Sequence, residues 1–275
     1  MKWKGFVFLL LFSCQSDTEK TDEVNNSYPT QDVINTSDTL EEEILEEEIT
    51  QSMILPSIDL TKTYRGHLLE VGQYHGDEVD PQSDKWSWLG LFSTVDSSYL
   101  AKTEITTRRV YDGIVDEPGD TTGWAISIGD SARVLMLISG IDFLFERTVA
   151  EYKWEENYVA PGDKNYFHFL EHDYYLQVTA DEPSNEVDLK NLKMFVGMKN
   201  ESGKWLEQKL FNVEYGMSPG VKLIFLGDID GDNRLDIITD NSYHYNVYLP
   251  TLYLSRPADE GKLVKEVAQQ QSVGC

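Results

Sequence analysis

Between residues 228 and 236 the chain sets four carboxylates, Asp228, Asp230, Asp232 and Asp236, into nine residues. Alternate residues of a tight loop converge on its concave side. Asp228, Asp230 and Asp232 can therefore supply one shell of oxygens, which Asp236 and a backbone carbonyl near Arg234 would close. Calcium takes six to eight oxygens at about 2.3–2.6 Å, and a set of this kind suits it. Left bare, the same charges repel one another across short distances unless the loop stays loose and wet. The expectation is a Ca2+ site built from Asp228, Asp230, Asp232, Arg234 and Asp236. The simpler alternative is an acidic hairpin with Asp-Gly at its turn.

The opening Asp-x-Asp-x-Asp is shared with EF-hands, but an EF-hand needs a bidentate Glu at the twelfth loop position, and Thr239 stands there. The flanks at 221–226 and 235–239 are short, apolar and rich in β-branched side chains, so they read as two strands rather than two helices. Taken together, Gly227, Asp228, Asp230, Gly231, Asp232 and Asp236 resemble the loop of FG-GAP or VCBS repeats, known from integrin-type propellers and many bacterial surface proteins. That family usually has Gly where Asn233 stands, and Asn also tolerates a left-handed backbone. The resemblance occurs once along the chain. Asp77, Asp80 and Asp84, like Asp112, Asp116 and Asp120, are spaced by three or four residues and cannot turn one face to a common ion in the same way. A propeller fragment is accordingly the less favoured architecture.

At the other end, Lys2 and Lys4 precede an apolar run at 5–12, which has the charged start and short greasy middle of a secretory signal. It is shorter than the roughly 20 apolar residues of a membrane span. Leu11, Phe12, Ser13 and Cys14 resemble a bacterial lipobox. The resemblance implies a signal peptide over 1–13 and a mature chain that begins at a lipidated Cys14, its acyl chains making the membrane a partner. Gln15 stands where inner-membrane lipoproteins carry Asp, so the similarity extends to outer-membrane lipoproteins. Asp17 and Glu19 resemble the surface-export tags of some Gram-negative members. A conventionally cleaved signal is the alternative.

With Cys14 lipidated, Cys275 has no partner for an internal disulfide, and the two cysteines offer no zinc spacing. From Gln15 to Pro56 twelve acids stand against Lys20 alone, and Tyr28 is the sole aromatic, a composition that cannot bury enough surface to fold. Residues 14–56 read as a self-repelling acidic spacer, mostly disordered. Within it, Leu40, Ile44, Leu45 and Ile49 recur at helical spacing, but a ten-residue helix alone is marginal in water.

Residues 57–275 remain for one sizeable core and carry a net charge of −16, within −25 for the whole chain. Nucleic acid is excluded as a partner, because duplex binding depends on clustered Lys and Arg. Short strand-like segments at 64–71, 87–94, 99–111, 124–128, 133–139, 166–170, 174–179, 193–199, 204–211, 248–255 and 263–268 are punctuated by Gly, Pro, Asp and Asn, and almost nothing reads as helix. Pro250 demotes its segment to an edge strand or marks a bulge. The fold class is all-β, one domain arranged as a two-sheet sandwich or open barrel.

Three patterns look catalytic. Gly216, Ser218 and Gly220 spell a nucleophile elbow, but that motif draws an N–H from the residue after the serine, and Pro219 has none. His168, Glu171 and His172 spell an inverzincin signature, yet they lie between strand-like segments, where two histidines four apart span about 13 Å unless the turn brings them closer. Trp86, Trp88, Phe92, Trp124 and Trp154 can form a platform for sugars or peptides, or fill a β core, which is the commoner use. The function expected is a calcium-binding module on the outer membrane, taking an extracellular glycan or protein ligand. A secreted hydrolase with structural calcium and a structural envelope component are the alternatives.

Overall fold

The computed structural model describes residues 64–129, 133–181, 188–217 and 219–274. The signal, the spacer and Cys14 lie outside the described residues, as do Ser218 and Cys275. The chain clusters into two units, Met1–Met53 and Ile54–Cys275, and only the second is described here.

The second unit is all-β, with no α-helix among the described residues. Its main sheet runs His67–Leu69, Val134–Ser139, Trp88–Ser93, Ser98–Thr103, Arg147–Glu151, Val221–Asp228, Asp236–Asp240, Pro250–Leu254 and Lys265–Gln269, each antiparallel to the next. Tyr158–Val159 joins as a tenth strand beside Val221–Asp228. The two ends of the sheet meet where Gly66 bridges Ala268, its N–H donating to Val267 O at 2.7 Å, so the sheet is nearly closed into a barrel. Closure removes sheet edges and gives the strands an inside.

Inside lie Leu68, Leu91, Leu100, Met136, Ile138, Phe225, Ile238 and Leu252. The outside is also covered. Gly72–Tyr74, Gly123–Ile128 and Ile105–Val110 form a small sheet whose Trp124 and Ile126 pack with Leu69, Trp88 and Leu137. The meander Asn165–Phe169, His172–Asp181, Asp188–Lys199, Trp205–Met217 packs Tyr174, Leu176, Met194 and Val196 with Leu226, Ile237 and Tyr253. Barrel strands buried on both faces need apolar residues at consecutive positions, which is why Met136, Leu137 and Ile138, or Leu252, Tyr253 and Leu254, follow without alternation. A bulge between Leu223 and Phe225 shifts the parity of Val221–Asp228, so Leu223 faces the meander and Phe225 the barrel interior.

The segment expected as one strand over 99–111 is two, Ser98–Thr103 in the barrel and Ile105–Val110 in the small sheet. No Gly or Pro marks the break at Glu104, so strand propensity runs through it. Pro250–Leu254 is not an edge strand, since it pairs on both sides. Pro250 is its first residue, a position where the missing N–H interrupts nothing. Two of the tryptophans fill the core: Trp88 and Trp124 are buried and donate their indole N–H groups to Ser83 O at 2.7 Å and Gly76 O at 3.2 Å, whereas Trp86 and Trp154 are half-buried.

Candidate metal centre

Val221–Asp228 and Asp236–Asp240 are the arms of a hairpin in which Gly227 pairs with Asp236, so residues 228–236 form a strand-loop-strand turn. Two apolar side chains pin the loop. Ile229 is fully buried in the barrel core and Leu235 in the core beneath the meander. Gly231 at φ 87° and Asn233 at φ 64° supply the left-handed turns, and Asn serves here in place of Gly.

Pinned in this way, Asp228, Asp230 and Asp236 are 2%, 1% and 0% exposed, and one carboxylate oxygen from each lies within 4.8 Å of the others. They are close enough to hold a metal ion. Their other contacts divide the labour. Asp236 Oδ2 accepts the N–H groups of Ile229 at 2.6 Å and Asp230 at 3.0 Å, while Oδ1 accepts Ser255 N at 2.7 Å and Ser255 Oγ at 3.0 Å. Asp228 Oδ1 accepts Gly231 N at 2.6 Å, and Oδ2 accepts Asn233 N at 3.3 Å and faces Arg147 Nη2 at 3.5 Å. Asp230 Oδ2 accepts Arg256 N at 3.0 Å. Asp230 Oδ1 is buried and has no hydrogen-bond partner.

The electrostatics follow from that burial. Desolvation, reinforced by the Asp232 charge, pushes the Asp230 carboxyl up to about 8. Asp236 is raised well above the usual carboxylate range by burial and by the Asp230 charge. Asp228 is raised by burial too, with Arg147 pulling the other way. A cation at this point would supply opposite charge, and burying like charges without one is expensive.

Asp232 stands apart from the triad. It is half-buried, and its Oδ1 accepts Arg234 N at 2.9 Å and Ser255 Oγ at 2.8 Å. Arg234 is exposed. Spacing alone did not single out Ser255, Arg256, Arg147 or Tyr174, whose hydroxyl accepts Leu235 N at 3.2 Å. Thr239, at the EF-hand Glu position, is buried elsewhere and donates to Asn241 Oδ1 at 2.7 Å.

The catalytic-looking patterns do not assemble. Phe169 pairs with His172 and His168 with Asp173 across a tight turn, so the two imidazoles stand on opposite faces of the hairpin. His168 Nδ1 meets Asp173 Oδ1 at 2.9 Å instead. Gly216 lies within the strand Trp205–Met217, Pro219 sits in a turn and Val221–Asp228 follows as a strand, where an elbow requires a helix.

Compared with protein-family models, curated proteins and solved structures, the chain matches no family model, no curated protein and no solved structure.

Proposed function

We propose that the chain is a lipid-anchored, calcium-binding β domain that acts as a binding or adhesion module at the outer membrane. The observation that carries the metal half of this reading is Asp230 Oδ1, a buried carboxylate oxygen with no protein donor, set beside two further buried carboxylates. An orphaned buried acceptor costs about 1–3 kcal/mol, more when charged, and a cation removes that cost. The donors are all hard oxygens, which favours calcium or magnesium over softer-ligand metals. In the proposed site Asp228, Asp230 and Asp236 bind directly, and Asp232 with the Arg234 carbonyl completes the shell from the loop's outer rim. The ion supplies charge compensation and fixes the hairpin. The anchoring half rests on the residues Leu11 to Cys14 and on the acidic composition of 14–56, which suits a spacer between bilayer and domain 57–275.

A metal that binds only the folded state stabilises it by mass action, about 2.7 kcal/mol at a hundredfold excess over Kd. A chelator therefore lowers the melting temperature of the purified protein, and calcium restores it. Calorimetric titration with CaCl2 that gives neither heat nor thermal shift refutes the site, and leaves Arg147 and Arg256 as counter-charges to the cluster among the described residues. Cys14→Ser releases the protein from the membrane fraction, and persistent membrane association of that variant removes the anchor.

A further inference from the structure

The meander sheet turns one face to the barrel and the other to solvent, and the solvent face carries an aromatic row. The register sets Tyr166 opposite Tyr175, Tyr175 opposite Gly197 and Gly197 opposite Glu207, so one line crosses all four strands. Trp205 lies two residues from Glu207 along the same strand and so on the same face. Ring centroids are 5.6 Å apart for Tyr166 and Tyr175, 5.4 Å for Tyr166 and Trp205, and 5.0 Å for Tyr175 and Trp205. Gly197 makes the row possible, because a Cβ there would lie 2.1 Å from the Tyr175 ring. The Tyr175 ring rests on bare backbone and is itself fully buried, covered by Tyr166, Trp205 and Lys164, whose Nζ lies 4.0 Å from its centroid, so it supports the row from below.

Polar groups on this face are held in fixed positions. Lys164 Nζ donates to Tyr175 OH at 2.8 Å and to Glu207 Oε2 at 3.0 Å, and Tyr175 OH donates to the same carboxylate. Near the turn, Asp173 takes His168 at 2.9 Å and Lys199 at 3.5 Å. Lys164, Lys199 and His168 are thus matched by Glu207 and Asp173, and the row is close to charge-neutral on a chain of net charge −25. Tyr166 remains 63% exposed. Beside it and Lys164 runs a groove of about 790 Å3, bordered also by Trp154 and Tyr158, a size within the range of small-ligand sites.

We propose that this row and the adjoining groove bind an uncharged oligosaccharide. The exposed Tyr166 ring and the half-buried Trp205 ring accept the C–H side of a pyranose, while the fixed Lys164 ammonium and Glu207 carboxylate satisfy its hydroxyls in both hydrogen-bond senses. A polyanion is repelled by the chain's charge, and the groove, where Glu155, Glu156 and Asp163 stand with Lys153 and Lys164, carries a net charge of only −1 with which to recruit a cationic peptide. The proposal rests on the binding-module reading above and names its ligand class, but it uses a surface distinct from the metal loop.

The test titrates the calcium-loaded full chain with cellohexaose, xylohexaose, maltohexaose, laminarihexaose and chitohexaose, reading tryptophan emission and heat. The expected result is saturable binding of at least one hexaose, weakened about tenfold in Tyr166→Ala, the loss of one stacked ring, with unchanged melting temperature and unchanged calcium heat. Trp205→Ala weakens it likewise. Absence of binding by all five sugars overturns the proposal, as does a Tyr166→Ala variant that binds as well as the parent. Capture of unglycosylated extended peptides on this face, with no sugar bound, overturns it in favour of a protein ligand. The calcium titration of the same samples fails separately if the metal reading is wrong, so the two outcomes are read apart.

Discussion

Tyr174 and Tyr175 are consecutive in one strand and serve opposite sides of its sheet. Tyr174 turns inward and accepts the N–H of Leu235 in the acidic loop at 3.2 Å, whereas Tyr175 lies on the outer side, equally buried but under the rings of Tyr166 and Trp205. One strand therefore touches both candidate sites.

Tyr174→Phe removes the acceptor of a buried N–H without changing the ring. The expected cost is about 1 kcal/mol in stability, together with weaker calcium affinity because the loop loses an anchor next to Asp236. Denaturant unfolding and calorimetric titration of this variant check both. Unchanged calcium affinity would show that the loop is held by its own Asp236 contacts alone.

Asp230→Asn has opposite effects on the bare and loaded protein. Without metal, the amide keeps an oxygen for Arg256 N and offers its NH2 to the neighbouring carboxylates, so above the raised Asp230 value of about 8 one buried charge disappears and the melting temperature rises by several degrees, a gain that shrinks as pH falls below it. With calcium, the stabilisation seen in the parent is lost. Thermal melts with and without chelator measure the crossing; a variant that is destabilised in both conditions contradicts the account of Asp230.

Gly227 marks where the loop meets the barrel. A Cβ at this position would lie 2.3 Å from Ala150 O, a backbone atom in the neighbouring strand that cannot rotate aside. Gly227→Ala is expected to cost about 1–3 kcal/mol, and to weaken calcium binding by displacing Asp228. Chemical denaturation beside calcium titration tests it, and a neutral effect on stability would mean that the strand Arg147–Glu151 yields more easily than its pairing implies.

His75 and Asp112 give the domain a pH window. His75 Nδ1 meets the buried Asp112 Oδ2 at 2.6 Å. The Asp112 bond raises His75 above its ordinary 6.5, so this contribution is full below 6.5 and is lost as pH rises through the folded value. The His75 bond lowers Asp112 below 3.8, so its contribution is full above 3.8 and is lost as pH falls through the folded value. The pair's contribution is greatest between these limits. In Asp112→Asn the stability difference between pH 5.5 and pH 8 shrinks; an unaltered difference in that variant assigns the pH response to other groups.

The hairpin around residues 228–236 was legible because its information is local: apolar flanks, alternate carboxylates and a residue tolerant of positive φ at Asn233. The all-β class was legible for the same reason, since short apolar runs and turn residues are local signals. The site's remaining walls were not. Ser255, Arg256 and Tyr174 approach from 19 to 61 residues away, and no spacing rule connects them to the loop. Alternate spacing puts Asp232 on a par with the other three, whereas only Asp228, Asp230 and Asp236 converge closely. The Asp232 carboxylate accepts the N–H two residues on and the Ser255 hydroxyl, a competition that periodicity does not reveal. Arg147–Glu151 escaped notice because its five residues show neither alternation nor a uniform apolar run, although it lines the barrel beside the loop.

Arg147–Glu151 and Val221–Asp228 are barrel neighbours, yet the whole meander Asn165–Phe169 to Trp205–Met217 is threaded between them in sequence. The barrel seam at Gly66 and Ala268 joins positions still further apart. Closing such distant pairs carries a chain-entropy cost before any contact rewards it, so the domain belongs among slow folders. The meander, made of consecutive hairpins, can form early and bring the two halves of the barrel together, and the acidic loop then takes its final shape only as the last strands dock.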